Sequence, residues 1–114
     1  MSAGVNVLEA FLRKHSLSVN QYEVLKDVHT AELFDISLRK LRDVRRRNRS
    51  CFPIDFAFVI GKKGRAETWV FTLQGLLMVS ALLKSGRAIS LNRQLVEFLL
   101  EKRSGFRLLP KPEN

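Results

Sequence analysis

A chain of 114 residues with 46% hydrophobic content has the size of one domain and enough apolar material to bury a core, which argues against disorder. Cys51 is its one cysteine, so an internal disulfide is excluded and a reducing compartment is expected. The net charge of +9 is unevenly spread: residues 38–66 hold ten basic side chains against Asp43 and Asp55, whereas residues 1–37 sum to −2. A localised positive block is the electrostatic footprint expected for a polyanion partner.

In chain order, Val5 to Lys14 places apolar residues at 5, 7, 8, 11 and 12, close to an amphipathic helical stripe. Glu9 interrupts its short apolar run and no cleavage-site pattern follows, so no signal peptide is read. Tyr22 to Leu25 is β-capable, with Asp27 suited to a turn. Thr30 then fits as N-cap of a short helix, Ala31 to Phe34. After Asp35-Ile36, Ser37 fits as N-cap of a longer helix from Leu38 to about Arg49. Two helices across a short turn give the helix-turn-helix layout, whose second helix enters the major groove of DNA. Ala31, Phe34, Ile36, Leu38, Leu41 and Val44 are its expected inward residues.

The second helix carries the charge. Arg39, Arg42, Arg46 and Arg49 are spaced 3, 4 and 3 apart and should share one face, flanked by Lys40, Arg45 and Arg47. A solvated basic face usually intersperses glutamates at i±4, and Asp43 is the one acid in this segment. The functional expectation is therefore a recognition helix that contacts bases and phosphates.

Beyond Pro53, the residues Ile54, Phe56, Phe58 and Ile60 alternate with Asp55, Ala57 and Val59, which predicts a strand with one large apolar face. The run Gly61-Lys62-Lys63-Gly64 that follows fits a phosphate-clamping loop of the KH type, which lies between two helices and would imply RNA binding. The alternation before it and the β-rich Trp69-Val70-Phe71 after it favour a β-hairpin instead. A hairpin with Lys62, Lys63 and Arg65 at its tip, directly after a helix-turn-helix, has the layout of the wing of a winged helix. Such a tip can contact phosphate while the helix reads bases.

Thr72 is the expected N-cap of a central core helix, "LQGLLMVSALLKS", with Gly86 as the left-handed residue that ends it. The run from Trp69 to Leu83 is too short and too interrupted to span a bilayer. Ser90 fits as N-cap of a last helix to about Arg103, with Leu91, Leu95, Phe98 and Leu99 as its apolar stripe. Residues 1–104 are read as a single domain and 105–114 as a tail containing Pro110 and Pro112. His15 and His29 stand apart in sequence, with no Cys or His at ligand spacing, so neither a metal nor another cofactor is expected. No Ser-His-Asp, Cys-His or paired-carboxylate arrangement is suggested, so no catalytic residue is assigned and an enzyme is not expected.

Two stretches, "FPIDFAF" and "FTLQGLLMVSALLKSGRAISLNRQLVEFL", resemble the phage Orf-six N-terminal domain, a relative of the KilA-N and Bro-N DNA-binding domains. The matching positions include Phe52, Pro53, Asp55, Phe56, Phe58, Phe71, Thr72, Gln74, Gly75, Met78, Ser80, Arg87 and Asn92, and the resemblance covers about residues 22–100. It implies a DNA-binding domain in a phage or prophage context. The matched aromatics read as core, Gly75 as a site of close packing, and Arg87 and Asn92 as capping or fixing the junction between the last two helices, with DNA contact as the alternative.

The combined expectation is an α+β, winged-helix-like regulator of transcription that binds double-stranded DNA in the cytoplasm of a bacterial host, at the nucleoid. Arg39, Lys40, Arg42, Arg45, Arg46, Arg47 and Arg49 supply the helix contacts, and Lys62, Lys63 and Arg65 the wing contact. The alternative is an antirepressor module whose basic face binds and inactivates a phage repressor protein. Exposed apolar positions on the last helix suit a homodimer, and no membrane association is expected.

Overall fold

A computed structural model describes residues 3–61 and 67–107, with side chains described over 7–61 and 67–101. The fold is α+β. Helix α1 (Ala3–His15) leads into strands β1 (Leu17–Val19) and β2 (Tyr22–Lys26), then helices α2 (Asp27–Phe34) and α3 (Leu38–Arg47). A 3-10 turn (Arg49–Cys51) precedes strands β3 (Ala57–Ile60) and β4 (Thr68–Phe71), and helices α4 (Leu73–Leu83) and α5 (Gly86–Arg107) complete the described chain. A helix-turn-helix is thus followed by a β-hairpin and two C-terminal helices, the winged-helix-like order. No helix among the described residues is long and apolar enough to cross a membrane.

The strands form one antiparallel sheet in the order β1-β2-β4-β3. β1 is absent from the sequence reading. It pairs with β2 through a two-residue turn, Asn20-Gln21, in which both residues have positive φ (51° and 71°). Turns of this hand match the twist of paired strands, but Gln is an unusual occupant and gives no turn signal.

Leu25, Phe71 and Ala57 are cross-strand neighbours on one face of the sheet, and that face joins the main core with Leu8, Leu12, Phe34, Leu41, Leu76, Val79 and Leu95. Phe52 closes on Phe71 edge-to-face, with ring centroids 5.9 Å apart. Val70 and Phe58 point to the opposite face, where the Phe58 ring lies 5.9 Å from Tyr22. Phe58 is therefore outside the main core, unlike the reading of all four matched aromatics as core.

Several local readings change. Asp27 is the buried first residue of α2 rather than a turn, and Thr30 lies inside that helix. The Thr30 hydroxyl donates to the Lys26 carbonyl at 2.9 Å, so it satisfies itself against the preceding turn instead of capping. The expected strand 54–60 begins only at Ala57. The Pro53 carbonyl accepts from both Phe56 N (2.8 Å) and Ala57 N (3.1 Å), which turns the chain there and leaves Ile54 78% exposed.

Ser37 and Thr72 cap as expected, accepting from Lys40 N at 3.0 Å and Gly75 N at 3.2 Å. Helix α4 ends on a left-handed Lys84 (φ 58°), not on Gly86, which opens α5. Ser85 rather than Ser90 accepts the early amide of α5, from Ala88 N at 3.1 Å. That helix runs through the expected stop at Arg103 as far as Arg107.

The matched polar residues act between helices. Asn92 Nδ2 donates to Ser80 Oγ at 2.7 Å, joining α5 to α4 as expected. Arg87 Nε donates to the Leu33 carbonyl at 2.9 Å, which joins α5 to the end of α2 instead.

Candidate nucleic-acid interface

Helix α3 has one fully buried side chain, Leu41, which enters the core, with Leu38 packed beside it. That single anchor fixes the rotation of the helix and turns the cations outward. The α2–α3 turn reinforces it: Asp35 takes the left-handed conformation (φ 57°) and its amide donates to the Glu32 carbonyl at 3.1 Å, while Ile36 N donates to Ala31 O at 3.0 Å. These bonds satisfy the last carbonyls of α2, and Ser37 then starts α3 two residues later.

Arg39, Lys40, Arg42, Arg46 and Arg47 are exposed along α3. Arg46 pairs with Asp43 one turn back at 2.6 Å, a surface contact worth less than about 1 kcal/mol. Arg42 reaches to 4.0 Å from the carboxylate of Asp27, whose side chain is only 8% exposed. A buried carboxylate needs such compensation. Asp27 also sits in the first turn of α2, where the helix dipole favours negative charge.

Two of the expected contact residues have different places. Arg45 does not join the free face. Its guanidinium lies 3.8 Å from the ring centroid of Trp69 on β4, so it ties the basic helix to the hairpin strand. Its partial burial lowers its pKa, helped by the charges of Arg46, Arg42 and Arg49 and opposed by Asp27. Arg49 stands beyond the helix end, in the 3-10 turn. The helix closes at Arg47 because Asn48 leaves helical geometry (φ −121°, ψ 39°), its amide and side chain both donating to the Val44 carbonyl at 3.1 and 2.9 Å, so the 3-4-3 register does not extend to Arg49.

Strands β3 and β4 pair from Ala57↔Phe71 to Ile60↔Thr68, which makes the segment between them a hairpin connection and removes the two-helix context of a KH loop. Gly61 enters that connection at φ 128°, a conformation open in practice to glycine. Lys62, Lys63 and Arg65 lie outside the described residues.

Sequence reasoning missed Trp69 and Asp27 as the residues that position this face. The signal in each case was a chemically distinctive residue beside the charge block, but its partner was fixed only by the fold. It also treated His15 and His29 as separate. Their rings stack with centroids 4.1 Å apart. No protein-family model matches the chain, and comparison with curated proteins and with solved structures finds no match.

Proposed function

We propose that this chain binds double-stranded DNA through the exposed face of α3, with the β3–β4 hairpin beside it as a wing. The observation that carries the reading is the set of outward cations Arg39, Lys40, Arg42, Arg46 and Arg47 on the second helix of a helix-turn-helix. The Arg45–Trp69 contact supports it, because it holds that helix against the strand leading from the hairpin tip. Phosphate contacts from such a face fix register, and the arginines that reach base edges supply sequence preference. The resemblance to phage Orf-six N-terminal domains agrees with a transcription regulator acting at the nucleoid of a bacterial host.

Fluorescence anisotropy with random duplex DNA across a salt series tests this. If about five phosphates are neutralised, log K falls against log salt with a slope of roughly −4 to −5. An Arg42→Glu/Arg46→Glu double variant should lose most of that affinity. A flat salt dependence, or wild-type affinity in the double variant, overturns the reading. Absence of DNA binding together with capture of a cognate phage repressor would give the basic face to a protein partner instead.

A further inference from the structure

Helix α1 ends on His15, and helix α2 carries His29 and Glu32 one turn apart. The fold stacks the two imidazoles at 4.1 Å between centroids, with 27° between ring planes. One nitrogen from each ring and a carboxylate oxygen of Glu32 all lie within 4.8 Å of one another. Phe11, with its ring 4.6 Å from that of His15, lies beside the pair.

One atom in this group is unaccounted for. His29 Nδ1 is buried, and it is the one buried side-chain nitrogen or oxygen among the described residues that has no hydrogen-bond partner. Its nearest charged neighbour, Glu32 Oε1, is 3.6 Å away, beyond hydrogen-bonding distance. Buried polar atoms are otherwise nearly always paired. Nδ1 faces a carboxylate oxygen across a gap close to the spacing of two ligands on one metal ion.

We propose that His15, His29 and Glu32 form a binding site for a divalent transition-metal ion of the zinc class. Two imidazoles and one carboxylate are borderline donors that suit zinc or cobalt, whereas magnesium and calcium require oxygen ligands. Zinc bonds of about 2.0–2.2 Å place tetrahedral ligands about 3.3 Å apart. The three atoms must therefore close from their 4.8 Å spread. The stacked rings must also turn, because imidazole lone pairs lie in the ring planes and these are only 27° apart; the 62% exposed Glu32 side chain and the place of His15 as the last residue of its helix give room for that. Three protein ligands leave the remaining coordination to water. The ion fastens the end of α1 to the first helix of the helix-turn-helix, and the site stands whether or not the basic face binds DNA.

The test is calorimetric titration of the metal-free full-length chain, carrying Cys51→Ser to remove the thiol, with zinc chloride and separately with magnesium chloride. One equivalent of zinc binds and raises the melting temperature, and magnesium does neither. His15→Gln, His29→Gln and Glu32→Gln each weaken zinc by more than about tenfold, since even loss of an outer-shell partner costs that much. Glu32→Gln changes an exposed side chain and so separates ligand loss from misfolding. Cobalt on the unmutated histidines gives visible absorption bands that the His15→Gln/His29→Gln variant lacks. Failure of zinc to bind at millimolar concentration, or equal binding by the double-histidine variant, overturns the proposal.

Discussion

Gly75 lies in the first turn of α4, and a Cβ built there would sit 2.0 Å from the carbonyl oxygen of Phe56 and 3.0 Å from its carbon. That carbonyl already accepts from Thr72 N at 3.0 Å, and the Thr72 hydroxyl, which donates to the Asp55 carbonyl at 2.8 Å with Phe56 O at 3.2 Å, caps α4 through Gly75 N at 3.2 Å. Gly75→Ala must therefore push the 53–56 turn and the start of α4 apart by more than an ångström. The hydrogen bonds strained by that movement contribute about 1 kcal/mol each, the cap about 1 kcal/mol, and residual overpacking costs about 1–3 kcal/mol. Helix propensity offsets about 1 kcal/mol in favour of alanine. The expected net loss is about 3–5 kcal/mol by these central values, a melting temperature lower by roughly 12–21 °C in a domain of this size. Urea unfolding followed by circular dichroism measures it. Gly86→Ala is the internal control: nothing lies within 4 Å of its would-be Cβ, so it should be neutral or stabilising by up to about 1 kcal/mol. A Gly75→Ala variant as stable as the parent, which propensity alone would give, refutes the close approach.

The other expectations separate contacts within the fold from contacts to a partner. Arg45→Met should cost about 1 kcal/mol of stability by losing the Trp69 stack and leave the salt slope of DNA binding nearly unchanged. Arg39→Met should do the reverse, with stability within about 0.5 kcal/mol of the parent and a slope shallower by about 1. The opposite assignment in paired urea and anisotropy experiments would show that the two arginines had been misplaced. Ser80→Ala strands the Asn92 amide and should cost about 1–3 kcal/mol. A double-mutant cycle with Asn92→Ala should then show a coupling above about 0.5 kcal/mol, and simple additivity counts against the bond. Lys84→Gly should stabilise by about 0.5–1 kcal/mol, because it relieves a left-handed non-glycine residue. A loss of stability on thermal melting would contradict that.

What the sequence revealed was mostly local. Ser37 and Thr72 were legible as caps because a hydroxyl directly before an apolar helical run has few other uses, and both accept the amides expected of them. The hairpin was legible from two β-rich runs around a Gly-containing loop. Errors arose where two local explanations competed. The alternation from Ile54 looks like a strand until Pro53 is seen to accept two amides and turn the chain. Gly86 looks like a helix stop until Lys84 takes that conformation first. Non-local pairings were invisible: nothing in the spacing of Arg45 and Trp69, or of His15 and His29, indicates that they meet.

The basic helix shows how the fold handles concentrated charge. Three internal partners meet α3: Asp43 takes Arg46, the buried Asp27 lies at the reach of Arg42, and the face of Trp69 takes Arg45. Two of these also position the helix, because Asp27 belongs to α2 and Trp69 to β4. Arg39, Lys40, Arg47 and Arg49 form no ion pair with any described residue. Their mutual repulsion falls on a helix with one fully buried side chain, Leu41. An internal role would have been served by glutamates at i±4 or by apolar substitutions. Instead the acids and the aromatic ring restrain the cations nearest the body, and those farther out project into solvent. Arg42 and Arg46 stay exposed despite their acidic neighbours (55% and 64%), so Asp27, Asp43 and Trp69 orient the basic face without removing it from solvent.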